Sequence, residues 1–162
     1  MRKIVIFVAG IVLGAAAGFA AAIFAYPFIF LDDIVATETL EDGATRRLLA
    51  RGSFMHANPR DPIHYGSGAV TVYGDLVRLE ADFRVGPGPR YHVYLVPERG
   101  ITPQTAIPKT KYVDLGRLKA FSGSQNYPVP AGVDAAAYPS VVIWCEQFGV
   151  LISPAELRPS AR

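Results

Sequence analysis

Few side chains in this sequence can do covalent or redox chemistry, and the foremost is a single cysteine, Cys145, in the stretch VVIWCEQFGVLISPAEL (residues 141–157). A lone cysteine cannot close a disulfide within its own chain. The sequence also lacks both a C-x-x-C pair, needed for a self-contained thiol oxidoreductase, and a C-x-x-C-H site for covalent haem. Four roles stay open: a reactive free thiol, a thiolate ligand, one half of a transient intermolecular disulfide, or an inert core side chain. In an extended segment Val141, Ile143 and Cys145 share one face, and Val142, Trp144 and Glu146 the other. Apolar surroundings raise a thiol above its free pKa of about 8.5, and no Lys or Arg stands close in sequence to lower it. The residues alone favour the inert reading, because unpaired cysteine is among the most often buried residue types.

The other candidate ligands are His56, His64 and His92. Their separations match no metal template, so only folding can bring them together and no metal site is expected. His92, inside YHVYL, reads as a hydrogen-bonded strand histidine. His64 stands just before Gly66-Ser67-Gly68, a tight turn that displays a side chain at a loop edge. Hydrolase patterns find no support: there is no G-x-S-x-G elbow, and GSGAV and SGSQN place serine in turns. The carboxylate pair Asp32-Asp33 belongs to an acidic connecting stretch. The tyrosines at 91, 94, 112, 127 and 138 read as packing. Arg2 and Lys3 aside, fourteen basic residues face fourteen acidic ones with no basic block, which excludes nucleic acid as a partner.

These side chains need a scaffold, and the chain first supplies a membrane segment. Residues 4–31 contain no charge, and about 20 helical residues already cross a hydrocarbon core. A cleavable signal is the rival reading, with Ala15, Ala16 and Ala17 as small residues for a protease. The apolar run, however, continues well past an h-region, which favours an uncleaved signal anchor over residues 1–31. Arg2 and Lys3 keep the N-terminus cytoplasmic and send everything from about residue 32 to the periplasmic or extracellular side. Tyr26, Phe28 and Phe30 fall at the outer interface, and Pro27 is expected where the helix ends. Gly10, Gly14 and Gly18 make a small-residue stripe that permits a homodimer.

Residues 32–50 are expected to be an acidic juxtamembrane tether, with a helical turn over 46–50. From there to residue 158 the pattern is one domain of short strands. AVTVYG and DLVRLEADFRV form a hairpin about Gly74, with Leu79, Ala81, Phe83 and Val85 on one face. GPGP (86–89) must turn, YHVYLV is a strand, and residues 97–110, with three prolines, form a loop. KYVDLGRLKAF is a strand bent at Gly116, SGSQNYPVPAG a turn-rich bend, and SVVIWC and FGVLIS two further strands. Short strands punctuated by Gly and Pro, without a long amphipathic helix, make the fold class all-β: a compact antiparallel β-sandwich behind one transmembrane helix.

Four blocks in order carry a resemblance: GSFMHANPRDPIHYGSGAVTVYGD, VRLEADFRVGPGPRYHVYLVP, VDLGRLKAFSGSQNYPVP and VVIWCEQFGVLISPAEL. Together, over about residues 52–157, they resemble the DM-thirteen domain, an electron-transfer module of cell-surface and membrane-anchored proteins. The most specific pieces are residues 123–127 and the Trp144-Cys145 pair followed by Phe148. The resemblance implies redox chemistry through Cys145, as a bare thiol or as ligand of a prosthetic group such as haem, with His64 as a second cofactor-binding candidate. It also implies that the partner is another redox or cell-surface protein, since this chain carries no companion redox domain. The competing expectation is a non-enzymatic envelope binding or scaffold module in which Cys145 fills the core. Whether the protein is itself an enzyme is left open.

Overall fold

An uncharged run dominated by Ala, Ile, Val and Phe has no reason to leave a helix, and it folds as α1, Arg2–Phe30. The computed structural model describes residues 2–30, 35–41, 43 and 45–160, with 24 and 27–30 described by backbone alone. The expectations for the side chains of Phe28 and Phe30 and for Asp32-Asp33 lie outside what is described. Arg2–Ile23 of α1 is long and apolar enough to cross a membrane, and Ile4, Phe7 and Phe19 stand exposed along it. Pro27 does not end the helix, which runs on to Phe30; a proline removes one intrahelical bond and the flanking turns carry the chain through. A Cβ at Gly10, Gly14 or Gly18 would meet nothing within 4 Å, so that stripe is open.

Among the described residues eleven strands follow: β1 Val35–Thr37, β2 Leu48–Phe54, β3 Gly66–Ser67, β4 Ala69–Tyr73, β5 Leu76–Leu79, β6 Arg84–Val85, β7 Tyr91–Val96, β8 Val113–Arg117, β9 Ser122–Pro128, β10 Ser140–Cys145 and β11 Val150–Pro159. They form one sheet in the order β3-β6-β9-β5-β4-β2-β11-β10-β7-β8, antiparallel along its length, with β1 added in parallel to β9. The sheet doubles over as a sandwich. Strand β9 makes the corner, pairing with β1 and β6 through its first residues and with β5 from Gln125 onward. Gly123, at φ 87°, sits at the change of partner, and a Cβ there would run into the carbonyl of Ala36. The folded sheet encloses the main core, which includes Val72, Leu79, Phe83, Val93, Ile143 and Ile152. A smaller cluster of Tyr94, Ile107, Val142, Trp144 and Leu151 covers the other face of β7 and β10.

Four local expectations are corrected. The stretch SGSQNYP is strand β9, not a bend: Gln125 and Tyr127 are buried within it, and the hydrogen bonds of Gln125 replace the apolar side chains that usually mark a strand. The 46–50 region is not helical, because Leu48–Ala50 begin β2 and pair with β4. DLVRLEADFRV is not one strand: it breaks after Leu79 into a turn that exposes Ala81 and resumes as β6, held by the Phe83 amide on the Glu80 carbonyl at 3.0 Å. Finally, part of the acidic stretch read as a tether is built into the sheet, since β1 pairs with β9 residue for residue. Glu38 secures it by accepting from Lys119 Nζ (2.8 Å) and the Asn126 amide (2.9 Å). Burial pushes the Glu38 carboxyl up, but those donors outweigh it and the net shift is downward. By contrast, β10 alternates as expected, with Val141, Ile143 and Cys145 in the main core and Val142 and Trp144 in the smaller cluster.

Candidate functional site

Cys145 is the last residue of β10, on the main-core face, opposite Tyr91 of β7 and Val150 of β11. It is 0% exposed. Here the strand ends and the chain turns through residues 146–149 into β11, closing with Gly149 at φ 62°. At this end of the sheet the 146–149 turn meets two other loops, residues 61–65 and the GPGP loop 86–89. Between them lies a largely apolar cavity of about 500 Å³, lined by His64, Pro89, Tyr91, Cys145 and Phe148 among others. Ile23 of α1 completes part of the wall.

The sequence explains why the loops meet here. The Gly86 amide donates to the Tyr65 carbonyl at 3.1 Å, and a Cβ at Gly86 would overlap the Ile63 carbonyl. A Cβ at Gly88 would overlap the hydroxyl and ring of Tyr91. The two glycines of GPGP thus let one loop lie flat on its neighbours, while the prolines restrict it. The next residue, Arg90, is the one described non-glycine with positive φ, at 51°. That left-handed backbone is unfavourable for a side chain with a Cβ, and it is held by the Glu146 amide on the Arg90 carbonyl (3.1 Å) and by Arg90 Nη2 donating to Glu146 Oε2 (3.0 Å).

The sulfur is subject to opposing influences. Its S–H donates to the Pro89 carbonyl at 3.2 Å. Burial pushes the thiol up, and this effect is the largest. The backbone N–H groups of Phe148 and Gln147 and the charge of Arg90 act the other way, while Glu146 adds to the rise. The net shift is upward, so the thiol is protonated at neutral pH. The local turn and Arg90 therefore supply the stabilisers of a thiolate that the sequence around Cys145 does not display.

His64 lines the same cavity, with Nδ1 2.6 Å from Asp61 Oδ2. The Asp61 carboxylate also accepts the amides of Ile63 (2.9 Å) and His64 (3.1 Å), and the His64 side-chain bond leads the effects that lower its pKa to about 2. Asp61 is thus ionised, and its carboxylate accepts from Nδ1 and fixes the orientation of the His64 ring. His56 Nε2, 2.8 Å from the Asp61 carbonyl, braces the same loop.

Cys145 and His64 are therefore brought together, and His56 supports them from behind. His92 goes elsewhere. It pairs with Trp144, on the opposite face of the sheet, and lies between Asp114 (3.0 Å) and Glu146 (3.4 Å) as a hydrogen-bonded strand histidine. These three residues place one ligand atom each within 4.8 Å. Glu146, however, already accepts from Arg90 and from the Tyr94 hydroxyl at 3.0 Å, so its carboxylate is occupied by internal partners. Sequence reasoning missed Asp61, Arg90 and Tyr91. The Asp61/His64 spacing of three was a readable signal. The amides of Gln147 and Phe148 leave no signature in residue type.

As a donor set, a buried thiol supported by amide N–H groups and an imidazole oriented by a carboxylate on its other nitrogen suit a haem iron or another prosthetic metal. Comparison with known proteins adds one finding: a family model described as electron transfer DM13 matches residues 60–157. That span contains Asp61, His64, the GPGP loop, Arg90 and Cys145. No curated protein and no solved structure matches the chain.

Proposed function

We propose, from the premise that this chain belongs to the electron transfer DM13 family, that it is a membrane-anchored, extracytoplasmic electron-transfer module with Cys145 as its working group. The observation that carries the reading is the placement of the chain's one thiol in an apolar cavity beside two backbone N–H donors, Arg90 and an oriented imidazole. Uncleaved α1 would be the anchor, and Arg2 and Lys3 would hold its N-terminus in the cytoplasm.

Burial keeps the thiol protonated, whereas the amides and Arg90 favour its anion. Admitting water or a polar partner side chain into the cavity weakens the first effect and leaves the others. The thiol is therefore guarded at rest and activated by opening of the 86–89 and 146–149 loops. As a bare thiolate, Cys145 attacks one sulfur of a partner disulfide. A mixed disulfide forms, and the partner's other sulfur leaves as a thiolate that takes up a proton. A thiolate of a second protein then attacks the partner's sulfur of this mixed disulfide: a new disulfide forms between those two proteins, the bond to Cys145 breaks, and its thiolate is regenerated, so that Cys145 relays oxidation from the first disulfide to the second protein's thiol. Where a prosthetic group such as haem is bound instead, Cys145 and His64 are the residues that would hold it, and the group would supply one-electron chemistry.

The full burial of Cys145 favours a second reading, a non-enzymatic envelope binding or scaffold domain with an inert core thiol. Alkylation of the folded full-length protein across pH, with a visible spectrum recorded with and without added haem, separates the two. A thiol that reacts in the folded state, faster once a partner disulfide protein is added, or a Soret band lost in Cys145→Ser, supports the redox module. A colourless protein whose thiol reacts only on unfolding sinks it.

A further inference from the structure

We propose that a second cavity, between the outer end of α1 and the rim of the sheet, binds an anionic phospholipid, with the phosphate on Arg117 and Arg90 and an acyl chain against Ile23. The inference rests on the reading of α1 as a membrane anchor given above. It requires no chemistry at Cys145.

Depth is the first argument. The apolar span Arg2–Ile23 ends at Ile23, and α1 continues to Phe30, about 10 Å further along its axis. Tyr26 follows Ile23 by three residues, so the two share a helix face. Tyr26 stands about 4.5 Å higher, at the level where tyrosines anchor among lipid head groups. Both line a cavity of about 410 Å³ whose other wall is the domain, with Pro89, Arg90, Tyr91, Arg117, Lys119 and Phe121 in it. The cavity thus begins at the edge of the hydrocarbon and opens at head-group height. Ile23 (58% exposed) and Tyr26 (53%) are only partly covered by the domain, which leaves their flanks open to lipid.

Charge then selects the ligand. The described lining holds three cations, Arg90, Arg117 and Lys119, and no carboxylate. The acids of the adjoining segments are engaged elsewhere: Asp114 with His92 (3.0 Å) and the Gly116 amide (2.8 Å), Glu146 with Arg90 and the Tyr94 hydroxyl, and Glu38 with Lys119. Lys119 Nζ donates to both Glu38 oxygens and to the Asn126 carbonyl, so it is satisfied. Arg90 gives one N–H to Glu146 and keeps the others. Arg117, exposed at the end of β8, has no side-chain hydrogen bond or ion pair among the described residues. An arginine without a counter-ion, beside a second with N–H groups to offer, matches an oxyanion with two free oxygens, as in a phosphodiester. Arginine is charged at every working pH, so this choice depends on no titration. Ile23, Pro89, Tyr91 and Phe121 give the same cavity an apolar side, which a lipid chain covers and a free phosphate does not. A choline head would bring a cation of its own toward the arginines; a glycerol head would not, so a net negative lipid is preferred.

The test is native mass spectrometry of the full-length protein released from nanodiscs of equal phosphatidylglycerol and phosphatidylcholine. The same spectrum gives the mass of the chain and hence shows whether α1 is retained. With α1 in place we expect one firmly held lipid per chain, phosphatidylglycerol favoured about tenfold, the order expected for one or two basic residues at an anionic surface. Arg117→Gln and Arg90→Gln should each lower that ratio about threefold. Arg51→Gln, exposed on β2 and outside the cavity, should leave it unchanged. Equal retention of the two lipids overturns the proposal. So does an equal fall in Arg51→Gln, which would mean diffuse attraction, or displacement of the lipid by millimolar inorganic phosphate, which would mean a site for a free anion. The wild-type ratio decides the matter even if a variant fails to fold. A chain that has lost α1, or that stays outside the discs, would sink the membrane reading itself. Retained α1 without a lipid preference sinks this proposal alone.

Discussion

Gln125 and Cys145 are both 0% exposed, both on strands and both polar, yet their surroundings differ in kind. The Gln125 amide is fully employed. Its Oε1 accepts from Lys119 N (3.1 Å), Ala120 N (3.1 Å) and the Tyr127 hydroxyl (2.7 Å), and its Nε2 donates to the Ala120 carbonyl (2.8 Å). That network closes the connection between β8 and β9. Cys145 gives its thiol hydrogen to Pro89, lies beside the amides of Gln147 and Phe148, and borders an apolar cavity under a loop with a left-handed arginine. A buried polar group that is saturated serves the fold. One that is left with capacity beside a cavity and a strained backbone is available to something else.

The sharpest break in this contrast is Gln125→Leu. It takes the Gln125 partner from the Ala120 amide and carbonyl and the acceptor from the Tyr127 hydroxyl, which keeps only the Lys119 amide, and should cost about 3–5 kcal/mol in urea unfolding of the full-length protein. The folded fraction should keep its Cys145 reactivity; a stability loss under about 1 kcal/mol would show that the network is not structural.

Gly88→Val comes next. Its side chain overlaps Tyr91, so a cost of about 1–3 kcal/mol and faster alkylation of Cys145 are expected as the loop lifts. Gly74→Ala, where a Cβ meets nothing within 4 Å, should change neither quantity. Faster labelling in both variants would mean that the loop does not guard the thiol.

Arg90→Gly sharpens the other side of the comparison. It relieves the positive φ and loses an exposed ion pair of little worth, so stability should rise by no more than about 1 kcal/mol. Removing the cation should move the Cys145 pKa further up, visible as an alkylation profile displaced to higher pH. An unchanged profile would remove Arg90 from the site.

The smallest effect is electrostatic. Asp61 has its pKa lowered from 3.8 to about 2, so its bond to His64 stabilises the fold fully above pH 3.8 and is lost as pH falls through about 2. The stability advantage of wild type over Asp61→Asn should therefore be level from pH 6 to about 4 and vanish by about 2. An advantage that persists undiminished below pH 2 would contradict the assignment of this bond to the ionised Asp61.

Much of the frame was readable beforehand. Charge-free residues 4–31 made the helix, and period-two alternation placed Val141, Ile143 and Cys145 on one face. The family resemblance singled out the cysteine. What misled was polarity: SGSQNYP looks like a turn because its buried strand is held by Gln125 hydrogen bonds and not by apolar side chains. VATE looks like a tether because its attachment is to a strand 87 residues further on, Val35 to Ser122. Of the site, the thiol and His64 were named from sequence, but Asp61, Tyr91 and Arg90 were not, since their roles are set by partners rather than by type.

The sequence by itself determined that this chain carries one apolar helix, a domain of short strands and one thiol without a partner cysteine. These follow from local composition and from counting. Only the tertiary structure decided that the thiol lies in a cavity with His64, under a GPGP loop seated on Tyr91 and Tyr65, with two amides and Arg90 opposing its burial. Those facts depend on segments about 60 to 80 residues apart meeting at one end of a sheet, and on backbone groups that every residue possesses. No pattern of side-chain types records either.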